Sequence, residues 1–206
     1  QRSEPVSEDS VHSPALAVEL LDAQLVSGGE RANSRDLPEP YFDPSLVSVS
    51  KIEYEAVGAE ISDLRICTGE MNQVNVLRPG EDYLYCYTVT FSEAAAGVRF
   101  GMMIKTVAGI ELGGGVSAPL GEGLPEVSKG HVLRVNFRFR CLLAPGVYFL
   151  NAGVVALASD GEEKYLHRLV DVLPIRVMHD PDSVFTGMVD LVPASDVIAV
   201  EAGGAA

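Results

Sequence analysis

The sequence predicts an all-β protein, an antiparallel β-sandwich of jelly-roll or immunoglobulin-like type. Three observations support this fold class. Apolar and polar residues alternate with a period of two in eight or more segments, turn residues separate those segments, and no helical pattern occurs between them. Of the 206 residues, 47% are hydrophobic and 21% are charged, which is ordinary for one packed domain. These features are typical of two packed antiparallel sheets.

Alternating apolar side chains define the predicted strands. The clearest alternation is Leu133, Val135, Phe137 and Phe139. The other predicted strands cover 47–56 with a β-bulge near Ser50, 83–91, 98–104, 147–158, 164–178 with a bend near Pro174, and 185–191. Tyr83, Tyr85 and Tyr87 are expected in the core with their hydroxyls at its rim.

Composition divides the chain into three parts. Residues 1–45 read as a linker, with a short helix over 14–26 and a proline-rich extended stretch after it. Residues 46–192 form the β-sandwich. Residues 193–206 read as a flexible C-terminal tail.

Charge argues against a nucleic-acid partner. The formal net charge is −14, and the two ends of the chain carry most of it. Residues 46–179 have a net charge of only −3. So acidic a chain repels nucleic acids and anionic lipids in general. A local basic patch could still form on residues 46–179, where acidic and basic residues are nearly equal in number.

The three cysteines, Cys67, Cys86 and Cys141, stand far apart and form no CxxC pair. Their number and spacing argue against a zinc site and against a disulfide scaffold. We therefore expect buried free thiols in a reducing compartment.

Motifs for catalysis and for cofactor binding are missing from the sequence. It contains no GxxxxGK[ST] loop, no GxSxG elbow and no histidine pair at metal-ligand spacing. Glu162 and Glu163 resemble a glycosidase pair, but a hairpin tip would leave them solvated. Gly113, Gly114 and Gly115 suggest a bulge or a close backbone approach. No catalytic residue, cofactor or metal is predicted.

The strand over 133–139 supplies the main candidate site. If its apolar residues face the core, then Arg134, Asn136, Arg138 and Arg140 form a row on the opposite face, at intervals of about 6.5–7 Å. Such a row can donate to hydroxyls, carboxylates or phosphates. The alternative is a solvated outer face that keeps the sheet soluble.

Three further residues complete the set of candidate binding residues. Asn151, expected to be exposed between Phe149 and Gly153, offers an amide beside a ring and a small residue. Arg99 and Lys105 share a strand face and would extend a basic surface. A packing role for Asn151 and simple solvation of the two cations are the alternatives.

Several segments resemble one known family. They are FGM at 100–102, GIELGG at 109–114, LAPGVYFLNAG at 143–153, LHR at 166–168 and GMVDL at 187–191. Their order is similar to that in the C-terminal carbohydrate-binding domain of Wzt, the ATPase subunit of ABC exporters for bacterial O-antigen polysaccharide. The resemblance covers about residues 47–191.

This resemblance implies a non-catalytic module of Gram-negative bacteria. It implies cytoplasmic binding of the glycan's non-reducing end on a concave sheet face, and a homodimer with exchanged C-terminal strands. It also implies a separate ATPase domain in the full-length protein and a membrane subunit at the inner membrane. Because ligand residues vary with the glycan in that family, none can be transferred to numbered positions here. The second hypothesis is a dimerisation or transporter-docking sandwich without a glycan site.

Overall fold

The computed structural model describes residues 37–197, in which strands are the only regular structure. The strands are β1 Ile52–Glu53, β2 Ala59–Cys67, β3 Gln73–Val74, β4 Val76–Leu77, β5 Asp82–Phe91, β6 Ala95–Thr106, β7 Glu111–Val116, β8 Leu124–Val127, β9 Val132–Arg140, β10 Gly146–Leu157 and β11 Glu163–Val177. None of the described residues forms a helix able to span a bilayer.

The strands pair into two sheets. The seven-stranded sheet has the order β1-β11-β10-β6-β7, with β4 added to β11 and β8 added to β6. The four-stranded sheet has the order β3-β2-β5-β9. All pairings are antiparallel except the short β4–β11 contact. The predicted all-β sandwich is therefore confirmed.

The core lies between the sheets and follows the period-two pattern. From β5 it receives Tyr83, Tyr85, Tyr87, Val89 and Phe91, all at most 1% exposed. The facing strand β6 contributes Val98, Phe100, Met102 and Ile104. Burying one such side chain contributes roughly 1.5–3 kcal/mol, so these rows set which face of each strand points inward.

Tyr87 joins the two sheets by a hydrogen bond. Its hydroxyl lies 3.1 Å from the carbonyl oxygen of Gly101 on β6 and 3.4 Å from that of Gly153 on β10. Burial raises the pKa of Tyr87, so the hydroxyl stays protonated and donates. The expectation of hydroxyls at the core rim is wrong for this residue, because the whole side chain is buried.

Three local expectations are wrong. Residues 46–51 form no strand, so no ladder exists for a bulge near Ser50 to interrupt. Among the described residues, 185–191 make only the isolated bridge between Leu143 and Val189. β11 is irregular at Asp171, where φ is +52°, and again opposite Val154 and Val155, rather than at Pro174. The helix predicted over 14–26 lies outside the described residues.

The glycines of β7 permit a close backbone approach, as predicted. A Cβ added to Gly114 would lie 2.3 Å from the carbonyl oxygen of Met102. At Gly113, by contrast, an added Cβ would meet no atom within 4 Å. Only the middle glycine is therefore required for β7 to pair with β6.

All three cysteines are buried and free, as expected. Burial raises the pKa of the Cys86 thiol and of the Cys141 thiol to about 11 each. Neutral thiols without solvent contact react slowly, since the thiolate is the nucleophile.

Replacing Tyr87 with phenylalanine should lower the free energy of unfolding by about 1 kcal/mol, because the substitution removes a buried hydrogen bond. Tyr85→Phe is the matched control. The Tyr85 hydroxyl is buried with no hydrogen-bond partner among residues 37–197, so its removal should be neutral or stabilising. Urea denaturation measures both values. An equal loss of unfolding free energy in the two variants would contradict the hydrogen bond from Tyr87 to Gly101.

The native chain should resist a thiol reagent such as DTNB at pH 8, and should release three equivalents of thiol when it is denatured. The raised thiol pKa values keep the thiolate fraction very small at that pH. Labelling should accelerate as the pH rises toward 11. Rapid labelling of the folded chain at pH 8 would show that the thiols are accessible.

Candidate functional site

A groove crosses the solvent-facing side of the seven-stranded sheet. It has a cavity volume of about 350 Å³ and runs over β7, β6, β10 and β11. We call it the outer groove. Its lining includes Arg99, Gly101, Met103, Glu111, Asn151, Gly153, Glu163, Tyr165 and Arg168.

Two glycines form the floor of the outer groove. Gly101 on β6 and Gly153 on β10 pair directly in register, so two side chains are missing from this part of the sheet face. A Cβ added to Gly101 would meet nothing closer than 3.7 Å. A Cβ at Gly153 would lie 3.1 Å from Cε1 of Tyr165, because that ring leans over the glycine. A flat ligand can therefore approach the backbone closely at Gly101, whereas Gly153 makes room for the Tyr165 ring.

Aromatic rings and a cation form one wall. The guanidinium carbon of Arg168 lies 5.2 Å from the centroid of the Tyr165 ring and 5.8 Å from that of the Tyr54 ring. Both rings are about half exposed. Tyr54 is held beside Arg168 by its own backbone N–H, which donates to the Arg168 carbonyl oxygen at 3.0 Å. This wall offers apolar ring faces next to hydrogen-bond donors.

An ion pair closes one end of the groove. Arg99 binds Glu163 through two contacts, Nε to Oε1 at 2.8 Å and Nη2 to Oε2 at 3.0 Å, and its Nη1 donates to the Ala118 carbonyl at 3.1 Å. The side chains of this pair are 12% and 19% exposed. This ion pair, with one hydrogen bond from Nη2 to Oε2, holds both side chains in place and offsets their charges.

A second polar network supports Asn151. Its Oδ1 accepts a hydrogen bond from the backbone N–H of Asp171 at 2.8 Å. Lys105 Nζ lies 2.7 Å from Asp171 Oδ1, and Ser50 donates to Oδ2 at 2.8 Å. The network fixes the Asn151 amide so that its nitrogen is the free end.

The predicted site residues fall on two different sheets. Arg134, Asn136, Arg138 and Arg140 are exposed and form a row on the outer face of the four-stranded sheet. Arg99, Lys105 and Asn151 belong to the seven-stranded sheet, so they do not extend that row. Whether the row binds a glycan stays a prediction.

Two expectations about the second group need correction. Asn151 is only 7% exposed, because Asp171 and neighbouring strands cover it, whereas the sequence pattern suggested an exposed residue. Arg99 and Lys105 are not free cations, since each is paired with a carboxylate. Glu163, expected to be solvated, is that partner of Arg99. Asn151 and Arg99 do line the outer groove, whereas Lys105 lies outside its lining.

Sequence reasoning missed the aromatic wall. Tyr165 and Arg168 are three residues apart, which strict alternation would assign to opposite faces. The register of β10 and β11 shifts between Val154 and Val155, so Tyr165 and Arg168 share a face. The sequence pattern places Tyr54 in a predicted strand over 47–56, whereas in the structure it lies at the edge of the outer groove beside Arg168. The one sequence signal for the floor of the outer groove was the pair of small residues, Ala152 and Gly153, at the end of the GVYFLNAG segment.

No cluster of metal-ligating side chains occurs in the described part of the chain. The two groove carboxylates, Glu111 and Glu163, come from the edge strand β7 and from β11, and Glu163 is bound by Arg99. The lining therefore combines exposed backbone, ring faces and fixed donors, which suits recognition of a polar ring with many hydroxyls.

Comparisons with known proteins match this architecture. The family model of the Wzt C-terminal domain matches residues 50–191. A crystal structure of the C-terminal domain of Wzt superposes with a TM-score of 0.66 at 25% identity, covering 74% of this chain and 91% of that one. No curated protein matches.

Two other solved structures are more distant. A Niemann-Pick type C2 protein from the Japanese carpenter ant has a TM-score of 0.39 at 11% identity, covering 62% of this chain and 98% of that one. The alkylpurine DNA glycosylase AlkC of Pseudomonas fluorescens has a TM-score of 0.38 at 14% identity, covering 60% and 31%. These two likenesses are too weak to support an inference about function. The family model, by contrast, matches most of the sandwich, and the chain belongs to the Wzt C-terminal domain family.

Proposed function

We propose that this domain binds the non-reducing terminal region of a bacterial O-antigen polysaccharide in the outer groove, without chemical change to the glycan. Binding takes place in the cytoplasm and couples the finished glycan to its ABC exporter at the inner membrane. The supporting observation is the paired glycine floor beside exposed tyrosine rings. Family membership supplies the exporter context.

The groove chemistry suits a saccharide. A sugar ring has an apolar C–H face that can pack on Tyr165, and its hydroxyls can accept hydrogen bonds from Asn151 and from other groove donors. The absence of a side chain at Gly101 lets the sugar ring approach the backbone of β6, beside the Tyr165 ring that covers Gly153. Because the groove is shallow and wet, we expect an affinity on the order of micromolar to millimolar.

A second function is favoured by one specific observation. The segment after β11 exposes large apolar side chains, with Val184 at 91% and Leu191 at 85%. Such exposure is typical of a surface that another chain covers. We propose that residues 185–191 pair with a second copy of this chain and so complete a homodimer by strand exchange. The nucleotide-binding domain and the membrane subunit of the exporter are the further partners proposed for the full-length protein.

Substituting Gly101 with alanine should weaken binding of purified O-antigen polysaccharide at least about fivefold, because the added methyl projects into the groove and the overlap costs of the order of 1 kcal/mol. The fold should be unaffected, since the new Cβ meets only ordinary contacts. Gly113→Ala is the matched control, in the same sheet but outside the groove. Calorimetric titration measures the affinity.

The same titration tests the arginine row. Arg138→Ala and Asn136→Ala alter the outer face of β9 and should leave affinity unchanged if the glycan occupies the outer groove. Unchanged binding in Gly101→Ala, together with lost binding in the two β9 variants, would move the site to the four-stranded sheet.

Removal of residues 184–206 should convert a dimer to a monomer, because it deletes the exposed apolar segment. Removal of 198–206 alone is the control and should leave the dimer intact. Light scattering after size exclusion gives the mass of each. The same mass for both truncations would rule out dimerisation through this segment.

A further inference from the structure

Arg168 is the one cation of the outer groove lining for which the described residues provide no carboxylate partner. Arg99, the other cation of the lining, is bound by Glu163, and the nearby Lys105 is bound by Asp171. No carboxylate of residues 37–197 lies within 4.0 Å of a nitrogen of Arg168. The guanidinium therefore keeps its full charge toward the groove.

Neighbouring acids do not neutralise it. Glu111 lies on β7, three strands away from β11, which places it about 14 Å across the sheet. Glu53, beside Tyr54, binds Lys51 at 2.8 Å, and the hydrogen bond from Lys51 lowers the pKa of that carboxyl. The charge of Arg168 is thus left for a ligand.

The two tyrosines orient this charge. Arg168 lies within cation–π distance of both the Tyr54 ring and the Tyr165 ring, so contacts with the rings hold the guanidinium plane in position. The N–H donors lie in that plane and form a fork that matches two oxygens on one carbon or phosphorus atom. A preorganised fork loses little conformational entropy on binding.

A second donor lies on the same floor. Asn151 is 7% exposed, lines the groove, and is two residues from Gly153, which pairs with Arg168. Its Oδ1 is occupied by Asp171, and no group of residues 37–197 accepts a hydrogen bond from Nδ2. The Nδ2 group is therefore available to donate to a ligand oxygen in the groove, and its position is fixed by the bond that Oδ1 accepts.

We propose that the outer groove takes a saccharide that carries an anionic group, a carboxylate or a phosphate, and that Arg168 donates two hydrogen bonds to it. Asn151 Nδ2 donates to a neighbouring oxygen of the same sugar. This inference rests on the proposed glycan-binding function and adds the chemistry of the bound residue. In this proposal Arg168 on β11, rather than the arginines of β9, selects for the anionic group of the saccharide.

The test uses polysaccharide from the cells that produce this protein, titrated into the full chain by calorimetry. One sample is untreated, one is carboxyl-reduced, and one is dephosphorylated under mild conditions. One of the two treatments should weaken binding about tenfold or more, the range expected when a charge-assisted hydrogen bond is lost. The treatment that does so identifies the anion as carboxylate or phosphate.

Arg168→Gln should bind the untreated polysaccharide as weakly as the wild-type chain binds the treated one, and should not respond to the treatment. Arg168→Lys should recover only part of the affinity, because a point charge replaces the fork. Arg138→Gln on the other sheet is the matched control and should behave as wild type.

The outcomes separate the two proposals. If neither treatment changes binding, or if Arg168→Gln retains the wild-type preference, the anionic inference is overturned while glycan binding stands. If Arg138→Gln alone loses the preference, the anion binds the β9 row instead. If the wild-type chain binds no polysaccharide at all, both proposals fail.

Discussion

The hydrogen bond from Tyr87 to the carbonyl of Gly101 ties the candidate site to the core. Tyr87 projects from the four-stranded sheet across the sandwich and reaches the carbonyls of the two floor glycines, with the shorter contact at Gly101. Glycine pairs in a sheet lack side chains to pack and weaken the strands that carry them. The hydrogen bond from the buried Tyr87 hydroxyl offsets part of that loss of stability. The backbone of the groove floor is therefore anchored to the core at Gly101.

Charge in and near the outer groove follows a consistent pattern. Where a cation serves the architecture, it is paired and mostly buried, as Arg99 is with Glu163 and Lys105 is with Asp171. Where it is left without a carboxylate, as at Arg168, it is held by aromatic rings instead. Rings orient a guanidinium without cancelling its charge. Within residues 37–197, the two kinds of support thus separate the carboxylate-paired cations Arg99 and Lys105 from Arg168, for which we propose ligand binding.

The fold could be predicted from sequence because burial imposes period two on long strands. β5, β6, β9, β10 and β11 were found this way, and the tyrosines of β5 proved to be core residues.

The candidate site could be predicted only in part. A register shift between Val154 and Val155 brings Tyr165 to the face of Arg168, and single-strand alternation carries no information about such a shift. Alternation predicts an exposed Asn151, whereas neighbouring strands leave the residue only 7% exposed. The segment at 185–191 alternates like a strand yet forms only one β-bridge with the part of the chain that the structure describes.

The arginines of β9 have a further consequence for the free chain. β9 is the last strand of its sheet, so one side of its backbone offers unpaired N–H and C=O groups. Exposed edges of this kind template edge-to-edge association and fibre growth. Guanidinium groups at 134, 138 and 140 place like charges opposite one another whenever two such edges approach. Electrostatic repulsion then discourages aggregation even at high local concentration, whatever else these side chains contact.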